Sequence, residues 1–154
     1  HPVITGLWES VRDGGALRST RNLVQAAIAA SQQWRYQEES GFRPYEDVAA
    51  HGYGNCLSLS CIMCAALRYK GVRHVYVMLG GNQGFFPLEV HAWVLYWDDQ
   101  VGSWFLVDPA RREPEPCTLG SLVNKYVVLA LFNDEDAYLT AEERQAFLRQ
   151  EVPK

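Results

Sequence analysis

Residues 52–71 read GYGNCLSLSCIMCAALRYKG, and this stretch decides how the rest of the chain is organised. The two glycines at its start allow a sharp backbone turn. The leucine, isoleucine, methionine and alanine residues that follow predict a buried helix. Gly71 comes directly after basic residues, a pattern typical of a helix end in the left-handed conformation. The helix is therefore expected to begin at or near Cys56.

Cys56 is the candidate nucleophile of this helix. The helix dipole and the unpaired backbone N–H groups at a helix N-terminus stabilise negative charge. A thiol in that position has a lowered pKa and is a better nucleophile near neutral pH, because more of it is thiolate. We therefore expect Cys56 to be an activated thiolate with a base nearby.

The composition predicts one globular domain over residues 1–154. Hydrophobic residues make up 48% of the chain and charged residues 21%, as in ordinary globular proteins. The net charge of −4 argues against a nucleic-acid partner, because proteins that bind nucleic acids usually present a basic face. No apolar run has the length of a membrane span, so a membrane partner is not expected either. Nothing in the sequence predicts an oligomeric state.

The four cysteines are Cys56, Cys61, Cys64 and Cys117. Cys61 and Cys64 would lie on adjacent turns of one helix, a geometry that disfavours a disulfide, and we expect both to be small buried apolar residues. A zinc site built on them is the alternative, but a second paired-ligand motif is missing. We therefore expect no metal and no cofactor. Free thiols are typical of reducing compartments, which favours the cytoplasm.

Helical and strand patterns follow one another along the chain. Residues 20–37 and 141–150 show helical patterns, and Thr140 with Glu143 matches a capping box. Alternating β-branched and aromatic residues predict strands over 72–79, 89–97 and 104–107. The continuous apolar run 126–132 predicts a last strand that is central in the sheet or buried on both faces.

His91 and Asp108 could supply the base and the orienting group that a cysteine nucleophile needs. His91 lies inside an apolar strand, and Asp108 ends the next strand across a short loop. Adjacent antiparallel strands lie about 4.8 Å apart, so the carboxylate can reach one ring nitrogen. A helix packed across the sheet would bring the sulfur of Cys56 to the other ring nitrogen of His91. Each residue alone is more often structural, and only the combination favours chemistry.

Three short motifs, in this order and spacing, resemble the transglutaminase-like superfamily. They are Gly54-Asn55-Cys56, His91-Ala92-Trp93-Val94 and Trp104-Phe105-Leu106-Val107-Asp108-Pro109, and the resemblance covers roughly residues 34–110. It implies an α+β, papain-like fold in which a central helix carrying the cysteine packs on an antiparallel β-sheet. It also implies that Cys56, His91 and Asp108 act as nucleophile, base and orienting residue.

The resemblance further implies cysteine-dependent acyl transfer on an amide or peptide bond through a thioester. Hydrolysis is favoured over transamidation, and the substrate would be a peptide, a protein or a small acyl or amide compound. The alternative is a catalytically inactive binding module, although an inactive copy would need neither His91 nor Asp108.

The remaining candidate residues concern the oxyanion and the substrate. The backbone N–H of Cys56 is expected to donate one hydrogen bond to the oxyanion. The second donor is expected among Tyr53, His51 and Trp34; His51 is also near enough in sequence to be an alternative base, but it falls on the approach loop. An apolar acyl pocket could be lined by Tyr53, Phe85, Phe86 and Trp93.

Overall fold

The computed structural model describes residues 1–9, 11, 19–82, 89–120 and 126–149. The helices with defined bounds are α1 (Pro2–Glu9), α2 (Thr20–Ser31), α3 (Tyr45–His51), α4 (Cys56–Tyr69) and α5 (Ala141–Leu148). The strands are β1 (Arg35–Tyr36), β2 (Tyr53–Gly54), β3 (Val75–Asn82), β4 (Val90–Asp98), β5 (Ser103–Val107), β6 (Cys117–Thr118), β7 (Tyr126–Phe132) and β8 (Ala137–Tyr138). Within these ranges, no helix combines the length and the apolar character that crossing a membrane requires.

The helix α4 confirms the prediction made from residues 52–71. The side chain of Asn55 accepts a hydrogen bond of 2.9 Å from the backbone N–H of Ser58, which caps the first turn. At the other end, Gly71 has φ of 87°, and the N–H of Val72 donates to the carbonyl of Leu67. That pattern is a Schellman motif, which needs the left-handed residue that glycine supplies.

The α4 helix packs on an antiparallel sheet, as the predicted fold class requires. Among the described residues, six strands lie in the order β6-β5-β4-β3-β7-β8, and each neighbouring pair is antiparallel. One face of β3 and β4, including Val75, Val77 and Val94, is buried with α1, α2 and α4. The opposite face forms a second core with Trp97, Trp104 and other aromatic residues. The sheet is therefore covered on both sides, and α4 lies over its middle strands.

The expectation that helix 20–37 continues to residue 37 is wrong. α2 ends at Ser31, and Arg35–Tyr36 instead forms the short strand β1, which runs parallel to β2. The N–H of Arg35 donates to the carbonyl of Gly52 at 2.9 Å, and the N–H of Gln37 donates to that of Gly54 at 3.0 Å. These bonds join segments distant in sequence, so helical periodicity alone could not reveal them.

The expectation that strand 126–132 is the last strand is wrong. Of its two predicted environments, the strand has the interior position in the sheet, between β3 and β8, but it is not buried on both faces. β7 is followed by β8, and within β7 the side chains of Val127 and Leu129 are 47% and 37% exposed. An apolar run shows that a segment is a strand, but it does not show where other elements cover it.

The capping box at α5 forms with one change. The N–H of Glu143 donates to Oγ1 of Thr140 at 3.2 Å, whereas the carboxylate of Glu143 accepts from the N–H of Leu139 and not from that of Thr140. The helix ends at Leu148, two residues before the predicted end, and residue 150 lies outside the described residues.

Candidate active site

Cys56 is the first residue of α4, as predicted. The chain enters the helix through Gly54, where an added Cβ would lie only 3.2 Å from side-chain carbons of Val48 and Ser58. The side chain of Asn55 then donates to the backbone carbonyls of Glu39, at 3.1 Å, and of Gly41. Close packing on one side and three hydrogen bonds of one amide therefore fix the backbone that carries the thiol.

His91 and Asp108 meet at the end of the sheet nearest to the start of α4. His91 lies on β4, and Asp108 follows β5 directly. Nε2 of His91 lies 2.7 Å from Oδ2 of Asp108, and Oδ1 of the same carboxylate accepts the N–H of Ala110 at 2.9 Å. Because both oxygens are engaged, the carboxylate cannot rotate freely, and it holds the proton on Nε2.

The thiol of Cys56 and the imidazole of His91 lie close enough for each to shift the pKa of the other. Asp108 occupies Nε2, so Nδ1 is the ring nitrogen that is left for the thiol. Burial by itself raises the pKa of the Cys56 thiol, but the hydrogen bonds from His91 and from the backbone of Ala92, with the charge of His91, lower it further than burial raises it. The net shift of the Cys56 pKa is downward.

The pKa of His91 moves in the opposite direction, to about 9. Burial lowers it, but the hydrogen bonds to Asp108 and Cys56 and the negative charges of both groups raise it by more. A lowered thiol pKa beside a raised imidazole pKa favours a thiolate–imidazolium pair at neutral pH. This arrangement can attack a carbonyl carbon and can then protonate a leaving group.

Trp93 packs directly against His91. The two ring centroids lie 4.6 Å apart with an interplanar angle of 77°, and Trp93 is only 5% exposed. A Cβ at Gly80 on the neighbouring strand would lie 2.8 Å from the Trp93 ring, closer than carbon atoms can approach. Glycine at this position therefore leaves the space that the indole needs to pack against the imidazole.

A cleft of about 830 Å³ opens over the His91–Asp108 pair. Its other lining residues come from β1 and the loop after it, from β4 and β5, and from the segment that leads to β6. They are Tyr36, Glu38, Glu89, Val90, Trp93, Leu106, Arg111, Glu115 and Cys117. A substrate placed there would contact the exposed edge of the imidazole.

Tyr36 lies at this cleft, and the sequence patterns did not single it out as a site residue. The pairing of β1 with β2 sets it opposite Gly54, two residues before the thiol, and its side chain is 46% exposed. Burial raises the pKa of its phenol, and so do the negative charges of Cys56, Glu38 and Asp108. Because β1 is only two residues long, the sequence shows no alternating pattern there. The available signal for Tyr36 is an aromatic residue upstream of the Gly-x-Cys motif.

The predicted oxyanion donors His51, Tyr53 and Trp34 are not among the described residues that line the cleft. Nδ1 of His51 lies 2.8 Å from the carbonyl of Asp47 within α3. The guanidinium carbon of Arg43 lies 4.7 Å from the centroid of the Tyr53 ring, and Trp34 packs against the main hydrophobic core. Phe85 and Phe86 lie outside the described residues.

The other cysteines differ in burial. Cys64 is 4% exposed, and its thiol donates to the carbonyl of Val75 at 3.7 Å, so its prediction as a buried apolar residue is confirmed. Cys61 is only partly buried, contrary to its prediction, because it lines a separate cavity of about 500 Å³; burial still raises its pKa to about 11. In the described part of the chain, no three His, Cys, Asp or Glu side chains are grouped to hold a metal ion.

The fold and the grouping of a helix-tip cysteine with a histidine and an aspartate on neighbouring strands define a papain-type α+β protein. The family model of the transglutaminase-like superfamily matches residues 12–109. The chain belongs to this superfamily.

Solved structures share the fold at low sequence identity. Calcium-bound LapG of Legionella pneumophila is 12% identical with a TM-score of 0.65, and the match covers 90% of this chain and 74% of that one. Another LapG structure is 11% identical with a TM-score of 0.66 and coverages of 97% and 83%. A Cytophaga hutchinsonii protein described as a candidate cysteine protease is 13% identical with a TM-score of 0.53 and coverages of 90% and 46%. No curated protein matches the sequence.

Proposed function

We propose that this chain is a single transglutaminase-like domain that acts as a cysteine-dependent acyl-transfer enzyme on a peptide or other amide bond. The observation that carries the proposal is that His91 has two partners. Its Nε2 lies 2.7 Å from Oδ2 of Asp108, and its ring also interacts with the thiol of Cys56. A histidine that serves packing alone needs only one such partner. The pKa shifts of Cys56 and His91 favour the charged, reactive form of the pair.

Acylation begins when the thiolate of Cys56 attacks the carbonyl carbon of the substrate. The carbon–sulfur bond forms, and the carbonyl π-electrons move to the oxygen, which becomes an oxyanion. The oxyanion then re-forms the carbonyl as the carbon–nitrogen bond breaks, and the imidazolium of His91 gives its proton to the departing amine. The products of this half-reaction are a free amine, a neutral imidazole and a thioester on Cys56.

We propose two groups that stabilise the oxyanion. The backbone N–H of Cys56, the first residue of α4, has no acceptor within its own helix and is available as one donor. The phenol of Tyr36 is the second donor that we propose. It lies in the cleft, and the negative charge of Cys56 raises its pKa. Removal of one such donor typically reduces kcat by about 10²–10³-fold.

Deacylation requires an acceptor that His91 deprotonates. With water, the neutral imidazole takes one proton, the hydroxide adds to the thioester, and the thiolate leaves with the pair restored. With a primary amine, the same steps form a new amide. We favour water as the acceptor, and the Cytophaga hutchinsonii neighbour, described as a candidate cysteine protease, supports a peptide or protein as the substrate.

The test combines site-resolved alkylation with turnover. Iodoacetamide at near-neutral pH is expected to modify Cys56 before Cys61, Cys64 and Cys117, as mapped by mass spectrometry. The wild-type protein, but not Cys56→Ala, should hydrolyse members of a mixed peptide library, and a transient mass increase should map to Cys56. Cys117→Ala is the matched control because it removes a thiol that lines the cleft over His91. Alkylation of all four cysteines only after denaturation, together with no turnover, would contradict the proposal.

A further inference from the structure

The cleft over His91 and Asp108 carries an uneven set of charges. Glu38 follows β1, Glu89 precedes β4 and Glu115 precedes β6, so three carboxylates from separate segments meet at one cavity. Arg111 is the fixed cation among the described lining residues. The charges of protonated His91 and Asp108 balance each other, and among the other described lining residues carboxylates outnumber guanidinium groups by three to one.

The same cleft also offers apolar and aromatic surface beside these carboxylates. Val90 is 53% exposed and Tyr36 is 46% exposed, and Glu38 lies close enough to Tyr36 for its charge to act on the phenol. Exposed apolar surface suits the aliphatic stem of a long side chain, whereas an aromatic face next to a carboxylate suits a cationic head. Lysine and arginine combine these two properties.

We propose that this cleft selects peptides that carry a lysine or arginine within a few residues of the bond that Cys56 attacks. The inference rests on the proposed function and adds the class of substrate to it. Charges of one sign along a cleft focus the electric field and raise the local concentration of oppositely charged ligands, which increases association rates by about 10–10³-fold. The cleft therefore repels acidic peptides and attracts basic ones.

The charge selectivity can be measured on Cys56 itself, without knowing the substrate. The probes are two methanethiosulfonates of similar size, the cationic ethyltrimethylammonium and the anionic ethylsulfonate reagents. Each transfers its thioalkyl group to the thiolate of Cys56 and releases methanesulfinate, so that a mixed disulfide forms. The Cys117→Ser background removes the thiol that lines the cleft, and the ratio of the two rate constants at Cys56 reports the local charge.

The decisive comparison is between two triple variants of equal charge. Glu38→Gln/Glu89→Gln/Glu115→Gln removes the carboxylates of the cleft, whereas Glu9→Gln/Asp99→Asn/Glu142→Gln removes three exposed carboxylates that do not line it. At low salt we expect the cation-to-anion rate ratio to fall about tenfold in the cleft variant and to stay near the parent value in the control. At 1 M salt the Debye length is about 3 Å, so the difference should largely vanish.

Two results would overturn the inference in distinguishable ways. Equal ratios in both triple variants, with Cys56 still reactive, would refute the charge selectivity and leave the proposed function intact. A Cys56 that reacts with neither reagent at near-neutral pH would refute the proposed function as well. In a peptide library, preferential turnover next to lysine and arginine supports the inference, whereas preferential turnover next to glutamate and aspartate contradicts it.

Discussion

At the scale of single residues, the chemistry depends on the two nitrogens of His91. Asp108 binds Nε2 at 2.7 Å, and its second oxygen is held by the N–H of Ala110, so the carboxylate has one orientation. The imidazole consequently keeps one tautomer and presents its other nitrogen to Cys56. Trp93 packs against the ring and restricts its rotation.

The pH dependence of the reaction is the first prediction. His91 is protonated below its pKa of about 9, so raising the pH through 9 removes the proton that the leaving amine needs and the cation that stabilises the thiolate. On the acid side, activity should rise as Cys56 ionises, at a pH below the ordinary thiol pKa of 9.0. Measured kcat/KM against pH should therefore be bell-shaped, with an alkaline limb near pH 9. A profile that continues to rise above pH 10 would contradict this assignment.

The substitution Asp108→Asn is the second prediction at this scale. It keeps the shape of the side chain but removes the charge that raises the His91 pKa, so the alkaline limb should move to lower pH. We expect kcat/KM to fall by about 10²–10⁴-fold. Asp99→Asn, on the exposed turn after β4, is the control and should leave both quantities unchanged. An unmoved alkaline limb in Asp108→Asn would show that Asp108 does not act through His91.

The contact between His91 and Asp108 could be predicted from sequence, but the position of Tyr36 could not. Residues that end or lie within adjacent antiparallel strands are neighbours by geometry, and the hairpin that joins β4 to β5 leaves few alternatives. Tyr36 reaches the cleft through the pairing of β1 with β2, which no local pattern specifies. The chemistry assigned to these residues stays a proposal that the alkylation and turnover experiments test.

At the scale of elements, the loop between β1 and α3 holds the first turn of α4. Asn55 caps the helix and also donates to the carbonyls of Glu39 and Gly41. The hydroxyl of Ser58 accepts the N–H of Arg43 at 2.9 Å, and the guanidinium of Arg43 is paired with the carboxylate of Glu39. The loop and the helix tip therefore move together, and the thiol with them.

Asn55 gives the prediction for this scale. In Asn55→Ala the cap and both loop contacts are lost, and we expect the free energy of unfolding to fall by about 2 kcal/mol, measured by urea titration. Asn55→Ser is the matched control: its hydroxyl can still cap Ser58, but it is too short to hold both carbonyls. It should recover about half of the loss. Equal destabilisation by the two variants would mean that the cap contributes little and that the loop contacts dominate.

Element boundaries show which signals in the sequence were sufficient. Both ends of α4 were predictable, because a cap residue and a glycine mark them locally. The strand predicted at 72–79 is instead Val75–Asn82, because the N–H of Val72 is used to close the end of α4. The strands β4 and β5 differ by one residue at most from their predicted bounds. The boundary of β3 was therefore mispredicted because residues assigned to the strand close the end of the preceding helix instead.

At the scale of the whole molecule, Asp98 joins α2 to the sheet. It lies at the end of β4 and is 2% exposed, and its Oδ2 accepts two hydrogen bonds from Arg21 of α2, at 3.2 and 3.0 Å. Its Oδ1 accepts the N–H of Gln100 at 2.9 Å in the turn to β5. One carboxylate therefore fixes both the turn between two strands and the helix that covers them.

Replacing this carboxylate should weaken the entire fold. In Asp98→Ala the backbone N–H groups of Gln100 and Val101 and the guanidinium of Arg21 lose their acceptor, and we expect a loss of about 2–3 kcal/mol in the free energy of unfolding. The midpoint of urea unfolding measures this change. Asp99→Ala, the exposed neighbour, should shift stability by less than about 0.5 kcal/mol. A similar effect for both variants would show that the burial of Asp98 is not what matters.

The two outer strands of the six-stranded sheet, β6 and β8, are each two residues long. An exposed strand border presents unpaired amide and carbonyl groups on which a second polypeptide can assemble, and its reach grows with its length. Each of these strands offers only a couple of ladder bonds of its own, and on the neighbouring β7 the carbonyl of Leu129 already accepts a hydrogen bond from the guanidinium of Arg144. The short outer strands β6 and β8 thus hinder the stacking of molecules into cross-β aggregates.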